Sequence, residues 1–354
     1  MTTQLDQPRP SETGSPATKD ATPGPKDATP GKEKFYARSW TPKEGGHDCA
    51  SVEEVESELA RDPETRIWVD LESASTATLT SLAACLGLHP LIVEDIVERN
   101  QRAKIDITGE TMHLVMFALK YNEELDLVEI DIVLGRRFLL TSHPPDWRPT
   151  EQPNIKRLGP DHFLAEGTDY MLYAVVDAMV DGYFPVMDTL GNQIDELEDE
   201  VVRRPTKPVV ERLFRVRREL LEMRHTVSPQ REVFNQLTNR EMPLIRQERI
   251  IYFRDVYDHL IRITDELDSY RELVSGALEA YLSTINNNLS DIMKRLTSVT
   301  AILAGVGAVG GIFGMSEAAA AFNLQEGIGF WIVSGFSVFV GVAVFVFFRR
   351  IGWI

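Results

Sequence analysis

IIYFRDVYDHLIRITDELDSYRELVSGALEAYLSTINNNLSDIMKRL (residues 250–296) runs without a break into TSVTAILAGVGAVGGIFGMS (residues 297–316). The last proline is Pro243, so no ring interrupts a helix after it. Gly276 is the only glycine between Ile250 and Ala304. A helix over that span is roughly 80 Å long at about 1.5 Å per residue. A rod that starts polar and ends apolar reads as a stalk running into a membrane. Phe253, Val256, Leu260, Ile263, Leu267, Tyr270, Val274 and Ala277 alternate by three and four, the spacing of a packed helical seam. A second stripe follows: Leu278, Leu282, Ile285, Leu289, Ile292 and Leu296. Opposite it runs a polar line of Glu279, Ser283, Asn286 and Ser290, then Met293. Such a line suits a solvated helix face, and equally the wall of a wet passage built from several copies.

Working outward, two segments carry no charge for long enough to cross a bilayer, which takes roughly 20 residues. They are Leu296–Ser316 and Gly327–Phe348. The first, with its glycines and hydroxyls, also fits a buried core helix; the second, GIGFWIVSGFSVFVGVAVFVFF, reads only as a span. Lys294 and Arg295 precede the first and Arg349 and Arg350 follow the second, while the connection holds only Glu317 and Glu326. Positive charge marks the cytoplasmic side, so both termini are expected in the cytoplasm and the loop outside.

The remainder is globular in composition, with 26% charged and 43% hydrophobic residues. A formal charge of −17 disfavours nucleic acid and favours cations. Cys49 and Cys85 have neither redox nor zinc spacing and read as reduced thiols. Residues 1–34, rich in Pro, Thr, Ser and Gly with KDATPG repeated, read as a disordered tail. Residues 35–150 read as a mixed α/β domain. Strands are expected at Arg66–Leu71, Met112–Lys120, Leu127–Gly135 and Arg136–His143, and helices at Ala77–Gly87 and His89–Glu98. Residues 151–249 read as helical. There an acidic run, Asp195–Glu200, is followed by the basic ERLFRVRRELLEMRHTV, and Pro229 and Pro243 punctuate the approach to the long helix. The stalk then occupies 250–295, the spans 296–316 and 327–348, the external loop 317–326 and a short tail 349–354. No GxxxxGK[ST] loop and no nucleophile–base pattern occurs, so neither a nucleotide partner nor an enzyme is expected.

Read at GIFGMS (Gly311–Ser316) together with the two spans, the chain resembles the CorA family of divalent-cation channels. HPLIVEDIVERNQRAKID (His89–Asp106), VVDAMVDGYF (Val175–Phe184), YFRDVYDHLIRITDELDSYRELVSG (Tyr252–Gly276) and the closing FFRRIGWI carry the likeness, which covers about residues 35–354. The resemblance implies a homopentamer in the cell membrane. Each protomer would have a cytoplasmic α/β funnel domain, a long stalk helix and a two-helix hairpin whose first span lines the pore. It implies a channel for Mg2+, with Co2+ or Ni2+ beside it, driven by membrane potential and gated by cytoplasmic cation. A zinc transporter of the ZntB type and a non-conducting cation sensor are the alternatives.

Carried onto this sequence, the family's pore face falls on Glu279, Asn286, Ser290, Met293, Leu296, Gly314, Met315 and Ser316. Its intersubunit regulatory metal site falls on Asp95 and Asp255, with Glu94 and Asp177 nearby. The cation is substrate and regulator, and no other cofactor is implied. Two departures bear on selectivity. The family's Gly-Met-Asn mouth is Gly314-Met315-Ser316 here, and Gly305, Gly307, Gly310 and Gly311 stand in a span that usually holds a proline.

Overall fold

The computed structural model describes residues 33–314 and 326–353, with side chains described through residue 312, at 331 and 332, and again from 334 to 353. It divides into two compact units: residues 33–120, 126–182 and 229–258 form the first, and 121–125, 183–228 and the chain from 259 onward the second.

The first unit is built on a seven-stranded sheet: β1 (Lys34–Thr41), β2 (Gly45–Cys49), β3 (Arg66–Glu72), β4 (Lys104–Thr108), β5 (Thr111–Tyr121), β6 (Leu125–Gly135) and β7 (Phe138–His143). The spatial order is β2-β1-β3-β7-β6-β5-β4. β3 pairs parallel to β7; the β1/β2, β1/β3, β4/β5 and β6/β7 pairs are antiparallel. β3 lies in the interior of the sheet, between β1 and β7, and its side chains from Ile67 to Glu72 are all buried, as a strand covered on both faces requires. Ile67, Val69 and Leu71 share a core with Val55 of α1 (Val52–Arg61), Leu79 and Leu82 of α2 (Thr76–Leu86), and Ile92 and Ile96 of α3 (Pro90–Glu98). After α4 (Pro153–Leu158) and α5 (Pro160–Glu166), the apolar α6 (Thr168–Asp181) packs on β3 and β7.

The helix ends follow their local chemistry. Gly87 closes α2 at φ +69°, a left-handed conformation that costs glycine nothing. His89 caps α3 by accepting from the Leu91 amide, with Pro90 in the first turn. The strands expected at Arg66–Leu71, Met112–Lys120 and Leu127–Gly135 are present within a residue or two. The last begins at Phe138 rather than Arg136, because Arg136 and Arg137 form the turn.

The second unit holds α7 (Tyr183–Arg203), most of α8 (Lys207–Asn239), the later part of α9 (Ile250–Gly314) and α10 (Glu326–Arg350). The acidic and basic helices do meet: Arg212 of α8 lies 2.9 Å from Glu200 and 3.7 Å from Glu196 of α7. Pro229 does not punctuate the chain; it lies inside α8, which continues to Asn239. An interior proline costs a helix about 3 kcal/mol. The completely buried Val227, Gln230 and Phe234 around it hold the helix through that defect. In the seam of α9, Phe253, Val256, Leu260, Ile263, Leu267, Val274 and Ala277 are buried; each such side chain contributes up to about 1.5–3 kcal/mol.

Candidate functional site

α9 is one helix of 65 residues, and the surroundings of its side chains change abruptly. From Ile285 through Thr297 every residue is exposed, apolar stripe and polar line alike. Leu289, Ile292, Met293 and Leu296 are each more than half exposed. Glu279, Asn286 and Ser290 are exposed as well. Large apolar side chains in this state are unsatisfied in water and call for lipid or further copies of the chain. Among the described residues, one helix is long and apolar enough to cross a membrane by length and composition, within Gln247–Ile312. α10 follows as a second helix of 25 residues ending in Arg349 and Arg350.

Of the five glycines in the first span, Gly305 faces α10: a Cβ there would meet Val340 Cγ1 at 3.8 Å. Reciprocally, a Cβ on Gly341 would meet Val306 Cγ2 at 3.3 Å. Small residues thus let the two helices approach closely. Among the described residues, nothing lies within 4 Å of where a Cβ on Gly307, Gly310 or Gly311 would stand. Gly314 is the last residue of α9, whereas Met315, Ser316 and Glu317 lie outside the described residues, as does the Glu326 side chain.

In the first unit, the proposed regulatory acids have different surroundings. Asp255, on the first turns of α9, and Glu94, on α3, are exposed. Asp177 is half-buried on α6. Burial raises the pKa of the Tyr173 phenol, and the charges of Asp177 and Asp255 push it further the same way. Asp95 points inward over the sheet, where Lys104 Nζ lies 2.6 Å from its Oδ2 and Gln101 Nε2 donates to its Oδ1 at 3.2 Å. Among the described residues, Asp95 and Asp255 share no ion-pair or hydrogen-bond partner.

A polar row lies under Asp95. Asp106 and His113 are partners in the β4/β5 register, His113 Nε2 is 2.9 Å from Asp131 Oδ1 on β6, and Asp131 pairs with Ser142 on β7. Arg99, in a left-handed conformation just after α3, reaches across to donate to Ser142 Oγ at 3.2 Å. Burial, and then the neighbouring Asp131, push the Glu129 carboxyl up to about 7. The sequence reading missed Lys104, Asp106, His113 and Asp131. The alternation of charge in KIDIT was the only sequence signal for Lys104 and Asp106, and His113 and Asp131 had none, since the pairing itself depends on register.

The profile described as "CorA-like Mg2+ transporter protein" matches residues 63–350. The cobalt/magnesium transport protein CorA of Thermotoga maritima is 32% identical over 308 residues, 85% of this chain and 87% of that protein. The zinc transport protein ZntB of Yersinia pseudotuberculosis is 23% identical, over 88% of this chain and 93% of its own. The complete structure of the CorA magnesium transporter from Methanocaldococcus jannaschii superposes with a TM-score of 0.75 at 22% identity, covering 90% of this chain and 98% of that one. That likeness shows the fold: an α/β region followed by a long helix and an apolar one.

Proposed function

We propose, from the premise that the chain belongs to the CorA-like Mg2+ transporter family, that it forms a homopentameric membrane channel for hydrated divalent cations, Mg2+ first, with Co2+ and Ni2+ beside it. The observation that carries this reading is the bare stretch of α9, residues 285–297, apolar on one side and polar on the other. Five copies would bury the apolar stripe against one another and lipid, leaving Glu279, Asn286 and Ser290 around an aqueous path. Met293 and Leu296 would form an apolar ring there that closes the path by dewetting. The amides of Asn286 and the hydroxyls of Ser290 suit an ion that keeps its water shell, as Mg2+ does.

An inside-negative potential drives inward movement with about 2.3 kcal/mol per charge per 100 mV, twice that for a divalent ion, so the path needs no nucleotide and no catalytic step. Cytoplasmic cation bridging Asp95 of one copy and Asp255 of the next, with Glu94 and Asp177 beside them, would hold the assembly shut. Both termini lie in the cytoplasm on this reading; a cysteine at Ala319 should be labelled from outside and one at Trp353 should not.

The deciding experiment is uptake of Mg2+, Co2+, Ni2+ and Zn2+ into vesicles carrying the purified protein under an imposed potential. Potential-dependent Mg2+ uptake supports the proposal. Uptake of Zn2+ alone would assign the cargo of the zinc relative instead, and no flux of any ion would leave a membrane-anchored sensor.

A further inference from the structure

We infer that Asp95, Asp106 and His113 form a cation site within a single protomer, of a chemistry that favours Zn2+, Co2+ or Ni2+ over Mg2+, and that Lys104 holds it closed. One donor atom from each of the three residues lies within 4.8 Å of the others. Asp106 and His113 face each other across β4 and β5, and Asp95 descends on them from α3.

The histidine is what marks this as more than an acidic cluster. His113 is only 1% exposed. Asp131, itself buried, takes the Nε2 side of the ring at 2.9 Å. A proton placed on Nε2, toward Asp131, leaves the lone pair of the ring on Nδ1. Nδ1 is buried with no hydrogen-bond partner among the described residues and lies 3.9 Å from Asp95 Oδ2. A lone pair aimed at a carboxylate is repulsive, and a cation between the two converts both contacts to attraction. Asp131 then stands to His113 as the orienting carboxylate commonly stands to a metal-bound imidazole.

The place already attracts positive charge. Lys104 Nζ lies 2.6 Å from Asp95 Oδ2 and 3.1 Å from Asp106 Oδ2, so its ammonium sits against both carboxylates. The Lys104 side chain is 30% exposed on an edge strand, and its flexible stem can swing out to solvent as a metal ion arrives. In a tetrahedral zinc site, ligands about 2.0–2.2 Å from the metal stand about 3.3–3.5 Å apart, so the three donors need close by little more than an ångström. One imidazole with two carboxylates suits the borderline metals; Mg2+ prefers an all-oxygen shell rich in water. The site needs no second copy of the chain, and it stands whether or not the protein conducts.

The test is zinc binding to the purified full-length protein in detergent, followed by competition with a fluorescent chelator, with Co2+ absorption as a second readout of nitrogen ligation. Lys104→Gln should tighten one Zn2+ equivalent per protomer at least tenfold. Asp106→Asn, at an exposed strand position, should lose that equivalent, as should His113→Gln if it folds. Asp255→Asn should leave it in place, which separates it from the intersubunit bridge. Isotherms unchanged by both Lys104→Gln and Asp106→Asn overturn the inference while leaving the channel reading, which rests on flux, untouched. Loss of the equivalent with Asp255→Asn also overturns it, since the zinc would then lie between copies.

Discussion

Lys104 holds Asp95: its ammonium nitrogen lies 2.6 Å from the carboxylate Oδ2, in the same protomer. A cation bridging Asp95 to Asp255 of a neighbouring copy must therefore displace or share with an internal competitor. Burial opposes the Lys104 charge, but its bonds to Asp95 and Asp106 outweigh that and leave its pKa raised, so it is charged throughout the physiological range. Lys104→Gln should lower the Mg2+ concentration that protects the full-length protein from limited proteolysis, by about three- to tenfold for a partly exposed pair of about 1 kcal/mol. Asp255→Lys should abolish the protection. Protection curves identical in wild type and both variants would remove these residues from regulation.

Glu72 gives a stability prediction with a definite sign. Its hydrogen bonds from Arg148, and after burial's opposing effect that from Lys34, hold its pKa at about 2 instead of 4.5. The unfolded chain therefore takes up the proton first as the medium is acidified. The stabilisation is fully present above about pH 4.5 and is lost as pH falls from there through about 2. Its upper bound is of order 3 kcal/mol. Glu72→Gln should lower the melting temperature of the purified protein at pH 7 and flatten its decline between pH 5 and 3. Parallel acid limbs in the two proteins would assign that decline to other carboxylates.

The contact between the two spans should be sensitive at one glycine and indifferent at another. A side chain on Gly341 drives into Val306, already at 3.3 Å from the first added carbon, whereas a Cβ on Gly307 meets nothing within 4 Å among the described residues. Gly341→Val should cost about 1–3 kcal/mol, the usual penalty of overpacking, and lower the thermal stability of the detergent-solubilised protein. Gly307→Ala should leave the isolated hairpin contact unchanged. Equal effects would mean that Gly307 faces another copy of the chain as tightly as Gly341 faces Val306.

The mouth supplies a test of selectivity that needs only the sequence. A serine hydroxyl at position 316 is shorter than an asparagine amide and offers a weaker dipole to a hydrated ion. Ser316→Asn should sharpen preference for Mg2+ in competitive uptake, and Glu317→Gln should reduce uptake of all divalent ions by a similar factor. Strong Mg2+ preference in the native protein, unmoved by Ser316→Asn, would shift the discriminating ring deeper, to Asn286 and Ser290.

What could be read in the sequence was what local chemistry decides. Gly87 and the His89-Pro90 pair marked helix ends, the three-four spacing from Phe253 to Ala277 marked a buried seam, and the charge-free run after Arg295 marked a membrane helix. Pro229 misled because a proline's local cost was outweighed by packing on both sides of it. β2 and β4 escaped because edge strands of five residues, with His47, Asp48 and Asp106 exposed, carry little apolar alternation. The surroundings of Asp95 were illegible for a deeper reason. Lys104, Asp106 and His113 meet it only through the register of β4 on β5 and the placement of α3 above them. A slip of one residue in that register would turn Lys104 and Asp106 to the face away from His113.

The bare stretch of α9 ties stability to numbers of molecules. A helix whose residues 285–297 find no cover among the described residues of their own chain is stabilised by binding, and binding obeys mass action. Diluted into excess lipid or detergent, the protein should lose this stretch before it loses its sheet. Produced faster than it can meet its own kind, it carries Leu289, Ile292 and Leu296 as an adhesive edge for whatever lies nearest. Abundance in the membrane is thus a physical variable of this fold, as temperature is for a protein that folds alone.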